Sequence, residues 1–246
     1  MSSIILAFET ATPGGSIFLG NESTQLAATN GDPDLSHSNT LLADLNQCLK
    51  EAGLGVKDVD LFACASGPGS FTGLRIGIAT LKALAATLDR PCVGVPTLNA
   101  IAQSAGKSKA TVSLLPAGRG EVFAQMFSVS VDEIIALDAA AHLSPQRLME
   151  RYRGISNLTW AGPGAHLHRS LLQDFAEQHA IGFAESVAES DIPQKGWSLA
   201  PAETRLARQV ATLALRRFAV GQVQDAESLR AIYVRPSDAE INQLCQ

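Results

Sequence analysis

Short apolar runs separated by turn residues open the chain and predict a β-hairpin. The first run covers residues 4–8, a polar and glycine-rich turn covers residues 9–15, and the returning strand covers residues 16–20. A weaker third strand is predicted at residues 25–29. We therefore expect the chain to begin with a β-meander that carries polar side chains at its first turn.

A helix and a strand–helix–strand unit follow the meander. Leucines at helical spacing predict an amphipathic helix over residues 38–52, with Gly53 as its C-terminal cap. Apolar runs at residues 60–65 and 92–95 predict buried strands, and the segment between them predicts a helix over residues 72–88. This order indicates a parallel pair of strands joined by a right-handed crossover.

The second half of the chain repeats the strand–turn–strand–strand order and then adds two helices. Small and polar residues cluster at 103–109, which favours a lobe boundary there. The repeat predicts two related lobes, residues 1–105 and residues 106–246. The predicted elements of the second lobe are strands at 111–115, 121–127 and 133–137, turns at 116–120 and 161–165, and helices at 168–178 and 201–218.

The predicted helix at residues 72–88 carries two apolar stripes and only two charges, Arg75 and Lys82. A surface helix needs one such stripe, so the second stripe indicates a second contact side. Either the helix is buried inside its own lobe, or its second side contacts another chain. On the preceding helix, Leu42 is offset from the leucines that can face the core. The first stripe comprises Leu74, Ile78, Leu81, Ala85 and Leu88, and the second comprises Thr72, Ile76, Ala79, Ala83 and Ala86.

Composition favours a cytoplasmic protein that does not bind nucleic acid by itself. The 246 residues are 46% hydrophobic and carry a net charge of −5. The longest basic run is the pair Arg216 and Arg217, so the basic patch typical of a nucleic-acid binder is not expected. The apolar run near the N-terminus is interrupted by Glu9, which predicts neither a signal peptide nor a membrane span. Four scattered cysteines predict reduced thiols, and they are Cys48, Cys64, Cys92 and Cys245.

The glycine segment before the second predicted helix is a candidate phosphate site. Backbone N–H groups near Gly67 and Gly69 can face an anion at a helix N-terminus capped by Ser70 or Thr72. The spacing differs from G-x-G-x-x-G and no P-loop lysine follows, which favours a tight strand-to-helix turn instead. Glu9 can hold a water molecule or Mg²⁺, although a single carboxylate in a turn is more often a capping residue. The five histidines do not form H-x-x-x-H or H-E-x-x-H, so no metal or other cofactor is expected.

Several blocks that together cover nearly the whole chain resemble the TsaB family, formerly called YeaZ. The most specific block is ASGPGSFTGLRIGIATLKALA at residues 65–85. The other blocks follow the family's order, and they are ILAFETAT at 5–12, HSNTLLADLNQCL at 37–49, VGVPTLNAIA at 93–102, GEVFAQMF at 120–127 and IYVRPSDAE at 232–240.

The resemblance implies an α/β protein with the actin-like, Hsp70-like fold of two lobes, each opened by a β-meander. It implies a non-catalytic subunit that pairs with TsaD, the catalytic relative that transfers a threonylcarbamoyl group to N6 of adenosine 37 in ANN-decoding tRNAs. The ATPase TsaE is expected to join them, a homodimer is expected without TsaD, and tRNA contact is expected only through the complex. The family pairs through its first two helices, which here implies the residues Leu42, Leu45, Leu49, Thr72, Arg75, Ile76, Ala79, Lys82, Ala83 and Ala86.

Departures from the family patterns bear on catalysis. TsaD-like proteins carry metal-binding histidines in a segment N-H-x-E-G-H, whereas residues 96–101 of this chain contain no histidine. Glu9 and Pro116 stand where TsaB-like proteins usually carry aspartate, and the loss of the second acid, at Pro116, argues against independent nucleotide hydrolysis. The alternative function is enzymatic: an actin-like-fold ATPase or kinase, or a metallopeptidase-like enzyme. Its candidate nucleotide or phosphate contacts are Glu9, Gly67, Gly69 and Ser70.

Overall fold

The structure is a computed structural model that describes residues 3–185, 195–203 and 205–234. Backbone contacts divide the chain into two compact units. The first unit comprises Met1–Ala100 and Thr204–Ile232, and the second comprises Ile101–Glu203 and Tyr233–Gln246. The predicted lobe of residues 106–246 differs from the second unit, because a stretch near the C-terminus groups with the first unit.

A five-stranded sheet forms the centre of the first unit. Its strands are β1 (Ile5–Glu9), β2 (Ser16–Gly20), β3 (Gln25–Asn30), β4 (Leu61–Gly67) and β5 (Cys92–Pro96). The spatial order is β3-β2-β1-β4-β5, in which β2 is antiparallel to β1 and β3 while β4 is parallel to β1 and β5. The predicted meander and the predicted parallel pair are both confirmed.

Helices cover both faces of this sheet, which explains why its strands read as continuous apolar runs. On one face, Leu6 and Phe8 of β1 pack with α1 (His37–Glu51) and α2 (Phe71–Leu88). On the other face, Ile5 and Ala7 pack with α7 (Leu206–Ala219). This packing places α7 in the first unit, and it could not be read from a local sequence pattern.

The two predicted helices of the first unit are confirmed within one residue at each end. The hydroxyl oxygen of Ser70 caps α2 by accepting a hydrogen bond of 3.2 Å from the backbone N–H of Gly73. The helix ends at Leu88, and its C-cap Asp89, two residues before Pro91, has a left-handed φ of 49°. Within α1, the backbone N–H of Ser38 donates to the hydroxyl oxygen of Ser36.

A seven-stranded sheet forms the centre of the second unit, with the order β11-β12-β10-β6-β7-β8 and with β9 paired to β7. Its core contains Trp160, whose ring meets the ring of Trp197 edge-on at 4.9 Å. The strands are β6 (Ser108–Gly118), β7 (Glu121–Val129), β8 (Ile134–Ala136), β9 (Ala141–Leu143), β10 (Asn157–Ala161), β11 (Phe183–Glu185) and β12 (Gly196–Leu199). The remaining helices are α3 (Thr97–Ser104), α4 (Pro145–Tyr152), α5 (Pro163–Leu167) and α6 (Arg169–Gln178).

Several details of the second half differ from the predictions. The predicted turn at residues 116–120 is shorter in the structure, because β6 continues to Gly118 and only Arg119 and Gly120 form the turn, both with positive φ. The helix predicted at 201–218 begins at Leu206. The turn predicted at residues 161–165 gives way at Pro163 to α5. The elements α3, α4, α5, β9, β10, β11 and β12 were not predicted, since segments this short carry weak periodicity.

Three cysteines of the described part of the chain, Cys48, Cys64 and Cys92, are buried and free. Burial raises the pKa of Cys48 and of Cys92 to about 11, which keeps both as unreactive thiols. Cys245 and residues 235–240 of the last resemblance block lie outside the described residues.

Candidate partner-binding surface

The second apolar stripe of α2 faces outward. Leu74, Ile78 and Leu81 of the first stripe are buried. The second stripe is exposed at Thr72, Ala79, Ala83 and Ala86 and half-buried at Ile76. The interpretation of α2 as a helix buried on both sides within this chain is therefore wrong. A row of small side chains remains open for another surface.

The helix α2 is also unusually apolar for an exposed element. By length and composition alone, its 18 residues meet the criteria for crossing a bilayer, and 33% of them are buried. In the structure, one side of α2 packs against the sheet of the first unit.

The two cations of α2 differ in their surroundings. Arg75 is exposed, and its guanidinium group lies 3.9 Å above the ring centre of Phe71. Lys82 is half-buried, and its Nζ donates to the backbone carbonyl oxygen of Glu227 at 3.5 Å. Both side chains border the small residues of the outward stripe.

On α1, the structure separates the three leucines that were assigned to partner binding. Leu42 is 67% exposed, in agreement with its offset position. Leu45 and Leu49 are only 4% and 7% exposed and belong to the core of the first unit. Their assignment to the contact surface is wrong, because a leucine four residues from another on an amphipathic helix shares its inward face. We call the exposed sides of α1 and α2, at Leu42, Thr72, Arg75, Ile76, Ala79, Lys82, Ala83 and Ala86, the α1/α2 face.

The turn between β1 and β2 holds the start of α2. The hydroxyl group of Thr10 donates to the carbonyl oxygen of Gly73 at 2.8 Å, and the N–H of Ser70 donates to the carbonyl oxygen of Ala11 at 2.8 Å. A Cβ atom on Gly73 would lie 1.9 Å from the carbonyl oxygen of Thr10, and one on Gly69 would lie 2.5 Å from the Cβ of Ala11. These glycines therefore allow a close approach of two segments of the same chain.

The same turn contacts the start of α1. Nε2 of His37 lies 3.1 Å from the carbonyl oxygen of Thr12. Three residues of this turn, Thr10 to Thr12, thus touch the N-terminal ends of both helices of the α1/α2 face. The sequence predicts polar residues in this turn, but no local pattern indicates that the turn contacts both helices.

Glu9 lies at the end of β1 and is only 1% exposed. Its Oε1 accepts from the backbone N–H of Thr12 at 2.6 Å, and its Oε2 accepts from the Thr12 hydroxyl group at 2.8 Å. Burial raises the pKa of Glu9 to about 7, against the opposing effect of these hydrogen bonds. Its carboxylate thus acts as the capping group of the turn, which was the simpler of the two interpretations.

The other candidate phosphate contacts differ from one another in their exposure to solvent. Gly67 is buried, and a Cβ there would lie 2.5 Å from the carbonyl oxygen of Ile232, whereas Ser70 is exposed. The structure therefore accounts for Gly67 and Gly69 by packing within the chain. Contact of Glu9, Gly67, Gly69 or Ser70 with a phosphate stays a prediction.

A segment near the C-terminus, for which the sequence predicts no element, packs beside β4 and β5. Gln224 pairs with Cys92 through the backbone, and its side-chain Oε1 accepts from the N–H of Gly94 at 2.9 Å. The N–H of Ile232 donates to the carbonyl oxygen of Ser66 at 2.7 Å, and Leu229 between them is buried. Residues 224–232 show no helical or alternating pattern of apolar positions. Their packing on β4 and β5 is therefore visible only from the long-range contacts.

The described ranges 3–185, 195–203 and 205–234 contain no group of three His, Cys, Asp or Glu side chains that could together bind a metal ion. Pro116 lies in β6, opposite Val122 of β7, and is exposed. The side chain of Pro116 therefore offers no ligand atom at the second hairpin.

Comparisons with known proteins agree with the resemblance. Residues 34–233 match the family model TsaD, described as tRNA N6-adenosine threonylcarbamoyltransferase. A relative from Escherichia coli K12, named tRNA threonylcarbamoyladenosine biosynthesis protein TsaB, is 28% identical over 94% of each chain. A protein of the same name from Bacillus subtilis 168 is 27% identical over 69% of this chain and 75% of its own length.

Solved structures give the same assignment. YeaZ from Pseudomonas aeruginosa superposes with a TM-score of 0.71 and 26% identity over 94% of this chain and 99% of that one. A second structure, titled as an uncharacterized protein with similarity to peptidase YeaZ from the same organism, gives a TM-score of 0.74 and 26% identity over 95% and 100%. These similarities confirm the actin-like α/β fold. The chain therefore belongs to the TsaD family and, within it, to the TsaB (YeaZ) group.

Proposed function

We propose that this chain is a non-catalytic subunit of the cytoplasmic machinery that makes threonylcarbamoyladenosine at N6 of adenosine 37 in ANN-decoding tRNAs. It binds the catalytic TsaD subunit through the α1/α2 face and helps to recruit the TsaE ATPase. The observation that carries the proposal is the outward stripe of α2, with exposed Thr72, Ala79, Ala83 and Ala86 on an 18-residue apolar helix.

The composition of this stripe favours a helix as the bound element. Alanine and threonine side chains are short, so a second helix can approach α2 closely and gain van der Waals contacts along its length. Leu42, which is 67% exposed on α1, adds a large apolar side chain to the same face. Large exposed apolar surfaces in soluble proteins mark interaction sites. A partner of the same fold can offer a matching pair of helices.

The proposal assigns tRNA contact to the assembled complex. The net charge of this chain is −5, so it lacks the excess of cations that neutralises RNA phosphates. Without TsaD, the α1/α2 face can pair with a second copy of the chain, which makes a homodimer the competing assembly.

The test is co-purification with TsaD from the same source. Ala79→Arg and Ala83→Arg each place a long charged side chain in a contact made by methyl groups, and we expect either to weaken binding roughly 100-fold or more. Both positions are exposed, so the isolated variants should unfold at the wild-type temperature. The matched control is Ser170→Arg, at an exposed position of α6. Wild-type recovery of TsaD by both alanine variants would refute the proposed surface.

A second candidate function is enzymatic, and the buried Glu9 favours it. A carboxyl group with a pKa of about 7 can act as a general base at neutral pH. The purified chain would then show a saturable ATPase or peptidase rate that is lost in Glu9→Ala. No such rate is expected if Glu9 serves only as the capping group of its turn.

A further inference from the structure

Residues 222–232, which we call the strap, follow α7 and pass along the outer edge of β5. Gln224 and Cys92 donate their backbone N–H groups to each other's carbonyl oxygens, at 2.8 and 3.0 Å, and form an isolated bridge. At the far end of the strap, the N–H of Ile232 donates to the carbonyl oxygen of Ser66 in β4. The backbone of the strap therefore pairs with the sheet at two separate points and not through a continuous ladder.

Several hydrogen bonds hold the shape of the strap from within. The side chain of Asp225 accepts from the N–H of Ser228 at 2.6 Å, and the guanidinium group of Arg230 donates to the carbonyl oxygen of Glu227. These bonds do not involve the sheet, so they can persist when the strap leaves it. Gly221, just before the strap, has a φ of 70° and open space around its Cα, which suits a hinge.

One buried side chain anchors the strap to the first unit. Leu229 is 1% exposed and belongs to the core cluster between the sheet and the helices α1 and α2, whereas most of the strap is exposed. A Cβ atom built on Gly94 would lie 2.5 Å from Cδ1 of Leu229, so the leucine fills the space beside this glycine. A single leucine supplies a small part of the apolar burial of a core. Opening the strap therefore costs much less free energy than unfolding the first unit.

The strap covers the thiol group of Cys92. Sγ of Cys92 donates to the carbonyl oxygen of Gln224 at 3.4 Å, and Cys92 is 0% exposed. Cys64 is 1% exposed and lies in β4, the next strand inward, which has β1 on its other side. Opening of the strap therefore uncovers Cys92 and leaves Cys64 buried.

The strap also borders α2. Nζ of Lys82 donates to the carbonyl oxygen of Glu227 at 3.5 Å. Arg75, Ala79 and Ala86 share one side of α2 with Lys82, because these positions follow one another at spacings of four, three and four residues. A chain that covers Ala79 and Ala86 therefore lies next to the closed strap.

We propose that the strap opens and closes as one segment while the sheet of the first unit stays folded, and that the closed strap completes the border of the α1/α2 face beside Lys82. A chain bound to this face then holds the strap closed, because a ligand shifts a two-state equilibrium toward the state that it binds better. The opening is independent of the proposed function, and only the effect of the bound chain rests on it.

The first test measures how fast N-ethylmaleimide modifies Cys92 and Cys64 in the native chain, with the two sites resolved by mass spectrometry of peptides. We expect Cys92 to react roughly 100-fold faster than Cys64 or more, because opening of the strap is less costly than unfolding of the unit. Low urea concentrations should change the rate at Cys92 little and raise the rate at Cys64 steeply, since unfolding exposes more surface. Equal rates with equal urea dependence would overturn the proposal.

Two leucine variants separate opening of the strap from unfolding. Leu229→Ala removes the anchor, and we expect it to raise the rate at Cys92 roughly 30-fold or more. The matched control is Leu45→Ala, which truncates a leucine of the same cluster that stays buried when the strap opens. It should raise the rate at Cys64 and leave the rate at Cys92 unchanged. If Leu45→Ala raises both rates equally, Cys92 is uncovered only by unfolding and the proposal fails.

A milder variant covers the case in which Leu229→Ala does not fold. Gln224→Ala removes the hydrogen bond of 2.9 Å between the side-chain Oε1 and the N–H of Gly94, and it removes no buried apolar side chain. We expect it to raise the rate at Cys92 roughly fivefold. An unchanged rate at Cys92 would show that Gln224 does not hold the strap over the thiol, and would overturn the proposal.

The second test repeats the modification with TsaD from the same source bound to the chain. We expect the rate at Cys92 to fall roughly tenfold, because the bound chain favours the closed strap. An unchanged rate in a complex that sedimentation shows to have formed would refute the role of the strap at the α1/α2 face. If no complex forms, the proposed function fails, whereas the first test still decides whether the strap opens by itself.

Discussion

The hydroxyl group of Thr10 donates a 2.8 Å hydrogen bond to the backbone carbonyl oxygen of Gly73, which joins the first turn of the meander to the first turn of α2. Thr10 is only 1% exposed, so the bond is shielded from water. The same turn accepts from the N–H of Ser70 and lies against His37 of α1. The orientation of the α1/α2 face therefore depends on three residues that lie outside it.

Gly73→Ala tests this link between the turn and α2. Its added Cβ would lie 1.9 Å from the carbonyl oxygen of Thr10, so the two segments must separate. We expect a loss of about 2–3 kcal/mol in the free energy of unfolding, measured in urea, and weaker binding of TsaD. Gly154→Ala is the control, because a Cβ there meets no atom within 4 Å. Equal stability of the two variants would show that the turn does not brace α2.

Leu45→Ala and Leu42→Ala separate the core from the surface of α1. Leu45 is 4% exposed, so its truncation should cost about 2–5 kcal/mol in the free energy of unfolding. Leu42 is 67% exposed, so its truncation should change stability by less than about 0.5 kcal/mol but weaken TsaD binding. Chemical denaturation and calorimetric titration of both variants check this. A Leu42→Ala chain that binds TsaD normally would remove α1 from the contact surface.

The ionisation of Glu9 predicts a pH dependence of stability. Burial raises its pKa from 4.5 to about 7, so the folded state favours the protonated form. The stability contributed by Glu9 is fully present below pH 4.5 and is lost as the pH rises to about 7, by up to about 3 kcal/mol. Relative to wild type, Glu9→Gln should therefore gain stability between pH 5 and pH 8.

Urea unfolding of wild type and Glu9→Gln at several pH values measures this effect. Glutamine can keep both contacts with Thr12, since its amide oxygen accepts and its NH₂ group donates. Glu22→Gln, at an exposed position, should follow the wild-type profile. Parallel profiles for wild type and Glu9→Gln would mean that the carboxyl group titrates at its ordinary pKa.

Local patterns predicted the elements of the first unit well. Buried positions appear directly in the sequence as the continuous apolar runs of β1 and β2, which a turn separates. They appear likewise in the helical spacing of the leucines of α1. The same patterns also showed that α2 has two apolar sides, and the exposed Ala79 and Ala83 now explain the second side. These features depend on neighbours in sequence, so the sequence alone was sufficient.

Long-range packing was not predictable in this way. Leu45 and Leu49 were assigned to the surface because the family uses α1, although their spacing points them inward with Leu41. The packing of α7 on β1 and of Leu229 beside Gly94 depends on contacts between distant parts of the chain. No periodicity marks them in advance, and the division into units therefore differed from the predicted lobes.

Amide hydrogen exchange of this chain, measured with and without TsaD, shows whether α1 and α2 form the surface that binds TsaD. We expect slower exchange on binding in peptides covering His37–Glu51 and Phe71–Leu88, with little change in α6 of the second unit. Unchanged exchange in both helices, together with protection elsewhere in a complex that demonstrably forms, would contradict it.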